Sequence, residues 1–179
     1  MASPISCLSI LVIPLLVTSL FYQVSNAYRA LIESICKNSM AYEFCMSALL
    51  ADGRSIRASP AFLELISIDL NLNAVEAALR WIPDLLKTLT NPLDKTRIQN
   101  CQADLDYVHG KLNDANTAAG KHSFLEAKDL LIEALFKIGE CYDEYDRPPK
   151  CELPISDLTF KMGGLIDISF VIISMLMFW

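Results

Sequence analysis

The chemistry that this sequence offers most clearly is disulfide formation between distant cysteines. Cys101 and Cys141 lie twenty residues before and after Lys121. If the flanks on either side of Lys121 are helices folded back on each other, a rise of about 1.5 Å per residue brings both cysteines to one height, roughly 30 Å from the turn. The two thiols would then face each other, and a bridge would contribute on the order of 4 kcal/mol to stability.

A second, shorter cysteine pair lies near the start of the chain. Cys36 and Cys45 flank Lys37, Asn38 and Ser39, which suit a turn between two short helical pieces within residues 28–52. Pairing these cysteines would pin a compact helical hairpin and contribute about 3 kcal/mol. The hairpin has little apolar surface of its own, so we expect it to dock on a larger body.

Other residue types that carry chemistry are scattered. His109 and His122 stand thirteen residues apart without an HExxH or CxxC motif, which argues against a zinc site. No GxSxG elbow or phosphate-binding glycine loop occurs. The carboxylates that could form an acid–base pair are Asp104 and Asp106, or Asp143, Glu144 and Asp146. Such charges on helices are more typical of a solvated face. We therefore expect no enzyme, no cofactor, no metal and no bound small molecule.

The paired cysteines belong to two amphipathic helical flanks. Apolar residues recur at three- or four-residue spacing on each flank. They are Cys101, Leu105, Val108 and Leu112 on the first, and Leu130, Leu131, Ala134, Leu135 and Ile138 on the second. The break between the flanks covers residues 119–123. The pattern predicts a helical hairpin that forms half of a small helix bundle.

An earlier apolar pattern predicts a third long helix from Ala61 to about Leu89. Ser59 and Pro60 suit its cap and first position. Pro83 should bend this helix without ending it, because the pattern resumes beyond it. We expect Asn91 and Pro92 to end it.

The C-terminal segment allows two interpretations. After the stiff link at residues 147–149, an apolar segment begins near Leu153 and is almost wholly apolar from Leu165 to Trp179. It could be the fourth bundle helix, or the tail of a cleaved lipid-anchor signal. Gly163 and Gly164 adjoin the apolar run without a polar spacer, which favours the bundle helix.

The N-terminus is typical of a secretory signal. Residues 1–27 contain no charged side chain, Ile10 to Leu20 is apolar, and Ser25, Asn26 and Ala27 suit cleavage after Ala27. A membrane anchor is the alternative, but the run is short and broken by Pro14. We expect a signal peptide at 1–27 and one domain at 28–179.

Secretion implies an oxidising compartment, in which Cys36, Cys45, Cys101 and Cys141 can pair. Cys7 leaves with the signal and Cys151 is left over. Cys151 could form an intermolecular disulfide or lie buried under the last helix, and we favour the buried thiol. The net charge of −6 and the lack of a Lys/Arg cluster argue against nucleic acid as a partner.

Two stretches resemble a known family. The run from Cys36 to Cys45, followed by Leu49 and by Ala51 to Ser55, is similar to the N-terminal signature of the plant invertase and pectin methylesterase inhibitor family. The second cysteine pair and the leader fit the same family. The resemblance implies an all-α fold, an antiparallel four-helix bundle with an N-terminal helical hairpin, in which both cysteine pairs are disulfides.

The resemblance also implies a function. The chain would be a secreted monomer that inhibits a carbohydrate-active enzyme of the plant cell wall or vacuole, without contact with a membrane after signal removal. Invertase inhibitors resemble it in Lys37 and Asn38, in Glu140, and in Asp143 to Tyr145. The pectin methylesterase branch usually shows a Ser-Ala-Ala-Leu-Thr stretch, where this chain has residues 132–136. We therefore favour acid invertase as the target.

The candidate partner-binding residues lie at the break between the flanks: Gly120, His122, Ser123 and Phe124. Invertase inhibitors carry a Pro-Lys-Phe tip there, and only Phe124 matches. Phe124 could equally be a core aromatic at the start of its helix. The alternatives to invertase inhibition are pectin methylesterase inhibition and a non-inhibitory secreted bundle.

Overall fold

The computed structural model describes residues 28–178, so the predicted signal peptide lies outside the described residues. Within them the chain is helical and contains no strand. The helices are α1 over residues 28–36, α2 (Tyr42–Ala51), α3 (Pro60–Thr88), α4 (Pro92–Gly120), α5 (Phe124–Asp146) and α6 (Ser156–Met177), with a short 3-10 turn at Gly53–Ser55. This confirms the predicted all-α fold.

The start of α3 follows the prediction. The Ser59 hydroxyl accepts a hydrogen bond from the Phe62 N–H at 3.2 Å, and Pro60 is the first helical residue. The helix continues through Pro83 and ends at Thr88. It therefore ends before Asn91, which was predicted to terminate it.

Asn91 serves the next helix instead. Its side-chain oxygen accepts the Leu93 N–H at 2.9 Å, and Pro92 is the first residue of α4. An Asn that caps satisfies one of the N–H groups that a helix start leaves without a partner. The predicted end of α3 at about Leu89 is confirmed, and Asn91 and Pro92, which were predicted to end α3, also begin α4.

The core lies between α3, α4, α5 and α6. Its largest buried side chains include Ile82 of α3, Ile98 and Leu105 of α4, Leu131 of α5 and Met162 of α6. Leu135, predicted to face this core, is 38% exposed because the buried stripe of α5 follows Ala127, Leu131, Ala134 and Ile138. The apolar positions on α5 therefore cover a wider face than the core uses.

The N-terminal hairpin docks as predicted. Ile35 of α1 and Leu49 of α2 pack with Leu63 of α3 and Ile168 of α6 in a second buried cluster. Burial of these side chains supplies the apolar contact that a hairpin of this size lacks alone.

Both predicted disulfides are present. Cys36 bonds to Cys45, with their Cα atoms 5.4 Å apart, and Cys101 bonds to Cys141, with their Cα atoms 4.8 Å apart. The second bridge joins α4 to α5 far from the turn between them, as their equal spacing from Lys121 indicates.

Cys151 differs from the prediction, because its thiol is free and exposed rather than buried under α6. It lies in the link between α5 and α6, where the buried Arg97 guanidinium donates to its sulfur at 3.2 Å. Arg97 also donates to the carbonyls of Arg147 and Pro149, at 2.8 and 2.9 Å. These bonds fix the link against α4 and leave the thiol at the surface.

The C-terminal segment forms the fourth long helix, as favoured. Eight residues of α6, among them Leu165, Ile168 and Ile172, are buried. By length and composition α6 could also cross a membrane, and it is the one helix of the described residues for which this holds. Its most apolar stretch is 39% buried in the bundle. Packing against the other helices thus accounts for part of its apolar character.

Candidate functional site

The candidate site is the hairpin tip, residues Gly120 to Phe124, where α4 turns into α5. The Ser123 N–H donates to the Ala118 carbonyl at 2.9 Å, and the His122 N–H donates to the Ala119 carbonyl at 2.9 Å. This pair of bonds is the Schellman arrangement, which satisfies the last carbonyls of a helix. The tip is therefore a defined turn whose backbone is held by α4.

His122 occupies the left-handed position of this turn. Its φ is +60°, a conformation in which residues other than glycine are disfavoured by about 1–2 kcal/mol. Its exposed imidazole meets the Phe124 ring edge-on, with the ring centroids 5.5 Å apart and an interplanar angle of 78°. Such an edge-to-face pair is attractive, so the two rings support each other's orientation.

Phe124 belongs partly to the tip and partly to the core. Phe124 is half-buried and packs against the main core cluster. Ser123 is also half-buried. Gly120 and His122 are exposed. The structure thus brings all four predicted residues together. It shows that Phe124 packs on the core, while partner binding by the tip stays a prediction.

Lys121 of the tip and Leu125 next to it were not among the predicted residues. Lys121 is exposed and its ammonium makes no ion pair within residues 28–178. Leu125, the second residue of α5, is 60% exposed. The position of Lys121 in the break between the two apolar patterns was the available signal. The tip therefore presents a cation, an imidazole and apolar surface in five consecutive positions.

The surface of α5 next to the tip is acidic. Glu126, Asp129 and Glu133 line a shallow depression of about 760 Å³ that also touches His122 and Phe124. Glu133 accepts hydrogen bonds from Lys111 at 2.7 Å and from the Tyr107 hydroxyl at 2.8 Å. These donors lower the pKa of the Glu133 carboxyl below its ordinary value. The depression next to His122 and Phe124 is therefore lined by acidic side chains.

The opposite end of the hairpin is closed covalently. The Cys101–Cys141 disulfide links α4 and α5 about 30 Å from the tip, given 20 residues at a rise of about 1.5 Å. Core packing along the whole hairpin holds the helices together between these points. The tip is thus carried by a rigid body, and within residues 28–178 no group of His, Cys, Asp and Glu could hold a metal ion.

Two comparisons of the sequence with known proteins gave different results. A family model described as plant invertase/pectin methylesterase inhibitor matches residues 30–167. No curated protein sequence gives a significant match.

Solved structures with the same fold include two from Arabidopsis. A mutant form of a pectin methylesterase inhibitor has a TM-score of 0.72 at 17% identity, covering 80% of this chain and 95% of that one. A pectin methylesterase inhibitor from Arabidopsis thaliana has a TM-score of 0.62 at 16% identity, covering 82% of this chain and 96% of that one. At such low identity the likeness concerns the fold alone.

Proposed function

The chain belongs to the plant invertase/pectin methylesterase inhibitor family, and we propose that it inhibits a plant acid invertase (β-fructofuranosidase) by noncovalent occlusion of the active-site cleft. The family assignment makes it an inhibitor of invertase or pectin methylesterase rather than an enzyme. We further propose that the protein loses residues 1–27 and is secreted as a monomer to the cell wall, with the vacuole as the alternative compartment.

The exposed ammonium of Lys121, which makes no ion pair within residues 28–178, is the observation that carries the choice of invertase. Glycoside hydrolases generally place two carboxyl groups at the bond they cleave, and a cation aimed at carboxylates forms strong charge-assisted hydrogen bonds. The Pro-Lys-Phe tip of invertase inhibitors has Lys directly before Phe, whereas here Lys121 precedes Phe124 by three residues. The tight turn keeps both on the same five-residue tip, so a cation remains available for the cleft.

Rigidity of the body supports occlusion as the mechanism. A protein whose loops become ordered on binding loses conformational entropy, which weakens its affinity. A pre-organised protein avoids this loss. Here the tip backbone is bonded to α4 and the far end is crosslinked. A tip of this kind can enter a cleft while the flanking helix surfaces exclude water around it.

Inhibition of a pectin methylesterase is the second candidate. It is favoured by the departure of residues 121–124 from the Pro-Lys-Phe tip and by exposed aromatic side chains on the helix faces, such as Trp81 on α3, which is 44% exposed. Tryptophan is a common anchor of protein interfaces. In this mode the side of the bundle, rather than its tip, would contact the enzyme.

The test is a pair of inhibition assays at acidic pH with the secreted protein. Sucrose cleavage by acid invertase is measured beside methanol release by pectin methylesterase. Lys121→Ala and Phe124→Ala are compared with Lys95→Ala, a matched control because Lys95 is an exposed lysine in the first turn of α4, at the opposite end of the hairpin. Circular dichroism checks that Phe124→Ala is folded, since Phe124 also packs on the core.

We expect invertase inhibition, with inhibition at least about 10-fold weaker in Lys121→Ala and unchanged in Lys95→Ala, since a hydrogen bond to a charged group contributes about 1.5–3 kcal/mol. Inhibition of pectin methylesterase alone would replace invertase with the second candidate. Equal inhibition by all variants would exclude the tip as the binding element. Activity against neither enzyme would leave a non-inhibitory secreted bundle, the third interpretation.

A further inference from the structure

We propose that the groove between α5 and α6 is a binding site for a small aromatic or aliphatic molecule that carries a cationic or neutral hydrogen-bond donor at one end. The groove has a volume of about 750 Å³, within the range of small-molecule sites. It is walled by α5, by α6 and by the residues that lead into α2. It lies away from the tip, because Gly139 in its wall follows Phe124 by fifteen residues, about 22 Å along α5.

Glycines leave this space open. A Cβ atom at Gly139 of α5 or at Gly163 of α6 would meet no atom within 4 Å. Larger side chains at these positions would fill the groove, as they do where the other long helices pack. Gly164 allows a close contact instead, because a Cβ atom added at this position would lie only 2.7 Å from the Phe44 ring. Phe44 can therefore lie directly on the α6 backbone and form a wall of the groove.

The walls are aromatic and apolar, and much of that surface is exposed. Phe160 is 67% exposed and Leu135, displaced from the core face of α5, contributes to the same groove. Tyr142 also lines it, and its hydroxyl is already engaged as a donor to the Ser156 carbonyl at 3.2 Å. A bound apolar body would remove this surface from water, which favours an aromatic or aliphatic ligand.

Charge defines the polar end of the ligand. Of the described residues that line the groove, Asp167 alone is charged. One of its oxygens accepts the Met40 N–H at 2.8 Å, which orients the carboxylate, and it forms no ion pair within residues 28–178. A single unpaired carboxylate in an apolar groove attracts a cation or donor and repels an anion.

The proposal is tested with small probes on the folded, disulfide-bonded protein. N-Phenyl-1-naphthylamine, an apolar fluorescent molecule with one N–H donor, is titrated into the wild type. Gly163→Leu fills the groove, and Gly110→Leu is the matched control because Gly110 is an exposed helical glycine with open space around it. We expect saturable one-to-one binding with a dissociation constant on the order of 10–100 μM, at least about 10-fold weaker in Gly163→Leu and unchanged in Gly110→Leu.

Displacement of the probe then tests the role of Asp167. We expect 1-naphthylmethylammonium to displace it about 5–10-fold better than 1-naphthylacetate, and this preference to disappear in Asp167→Asn. The proposal is overturned if Gly163→Leu binds the probe as well as the wild type. It is also overturned if the charge preference survives in Asp167→Asn, or if sedimentation shows a dimer that Gly163→Leu dissociates, since the groove would then hold a second copy of the chain.

Discussion

A buried carboxyl group makes the stability of this bundle depend on pH. Glu64 of α3 is 0% exposed, and neither of its carboxyl oxygens has a hydrogen-bond partner within residues 28–178. The nearby hydroxyls are occupied elsewhere: Ser169 donates to Ser67 at 3.0 Å, and Ser67 donates to the Leu165 carbonyl at 3.0 Å. Burial without a hydrogen-bond donor raises the pKa of Glu64 well above its ordinary 4.5.

The sign of the effect follows from proton binding. Above pH 4.5 the unfolded chain releases the Glu64 proton while the folded chain keeps it, so the folded state binds one proton more. The stabilising effect of the neutral carboxyl is therefore complete below pH 4.5 and is lost as the pH rises to the pKa of the folded state. For one proton the free energy of unfolding falls by at most about 1.4 kcal/mol per pH unit in this window.

Glu64→Gln removes the titration while keeping the size of the side chain. We expect the variant and the wild type to have similar free energies of unfolding near pH 4. Above that the variant becomes the more stable, by up to about 1.4 kcal/mol for each pH unit until the raised pKa is passed. Other titrating groups, such as Asp52, whose pKa is lowered by Arg54, are present in both proteins and cancel in the difference.

Urea unfolding followed by circular dichroism, from about pH 4 to about pH 8, measures this difference. Glu152→Gln is the matched control, because Glu152 is exposed and its removal should give no such pH-dependent difference. A difference between Glu64→Gln and the wild type that does not change with pH would refute the reasoning, since the carboxyl would then not be coupled to folding through its proton.

Three further predictions concern the scaffold. Removing the α4–α5 disulfide by replacing both cysteines with Ala should cost about 4 kcal/mol in urea unfolding, against about 3 for the α1–α2 disulfide, because the larger loop restricts the unfolded chain more; an equal or reversed order would contradict this. Gly164→Ala should be about 1–3 kcal/mol less stable than Gly163→Ala, since only the former forces a Cβ against the Phe44 ring; equal unfolding midpoints would show that the ring moves freely. His122→Gly should be about 1 kcal/mol more stable than His122→Ala, because its φ of +60° suits glycine; a more stable Ala variant would contradict the turn geometry.

The long helices could be predicted because their signals are local and repeated. Apolar spacing indicates each long helix, and the Ser59 cap marks the start of α3. The equal distance of Cys101 and Cys141 from Lys121 indicates the α4–α5 hairpin. Asn91 and Pro92 could not be assigned in this way, since an Asn-Pro pair can end one helix or begin the next. The hydrogen bond that the Leu93 N–H donates to the Asn91 side-chain oxygen decides between these, and it cannot be predicted from residue spacing.

Tertiary contacts explain the other differences. Glu64, Ser67 and Asn71 follow the same three- and four-residue spacing as the buried Ala78 and Ile82, yet polar residues on an amphipathic helix are ordinarily assigned to the solvent side. Their burial depends on α6, whose Leu165 and Met162 carbonyls accept hydrogen bonds from Ser67 and Asn71. The exposure of Cys151 likewise depends on Arg97, more than fifty residues earlier.

The polar contact between α3 and α6 and the tip between α4 and α5 lie on different helix pairs, so they can be changed independently. Because the stabilising effect of the neutral Glu64 carboxyl is lost as the pH rises above 4.5, its burial costs less at the acidic pH where the inhibitor is proposed to act than at neutral pH. At neutral pH that penalty opposes folding, while the two disulfides, which together contribute about 7 kcal/mol, act at every pH. We therefore expect the reduced protein to have its lowest urea midpoint near neutral pH, where the Glu64 penalty is present and the disulfide contribution is missing, as measured by circular dichroism at about pH 4 and about pH 7.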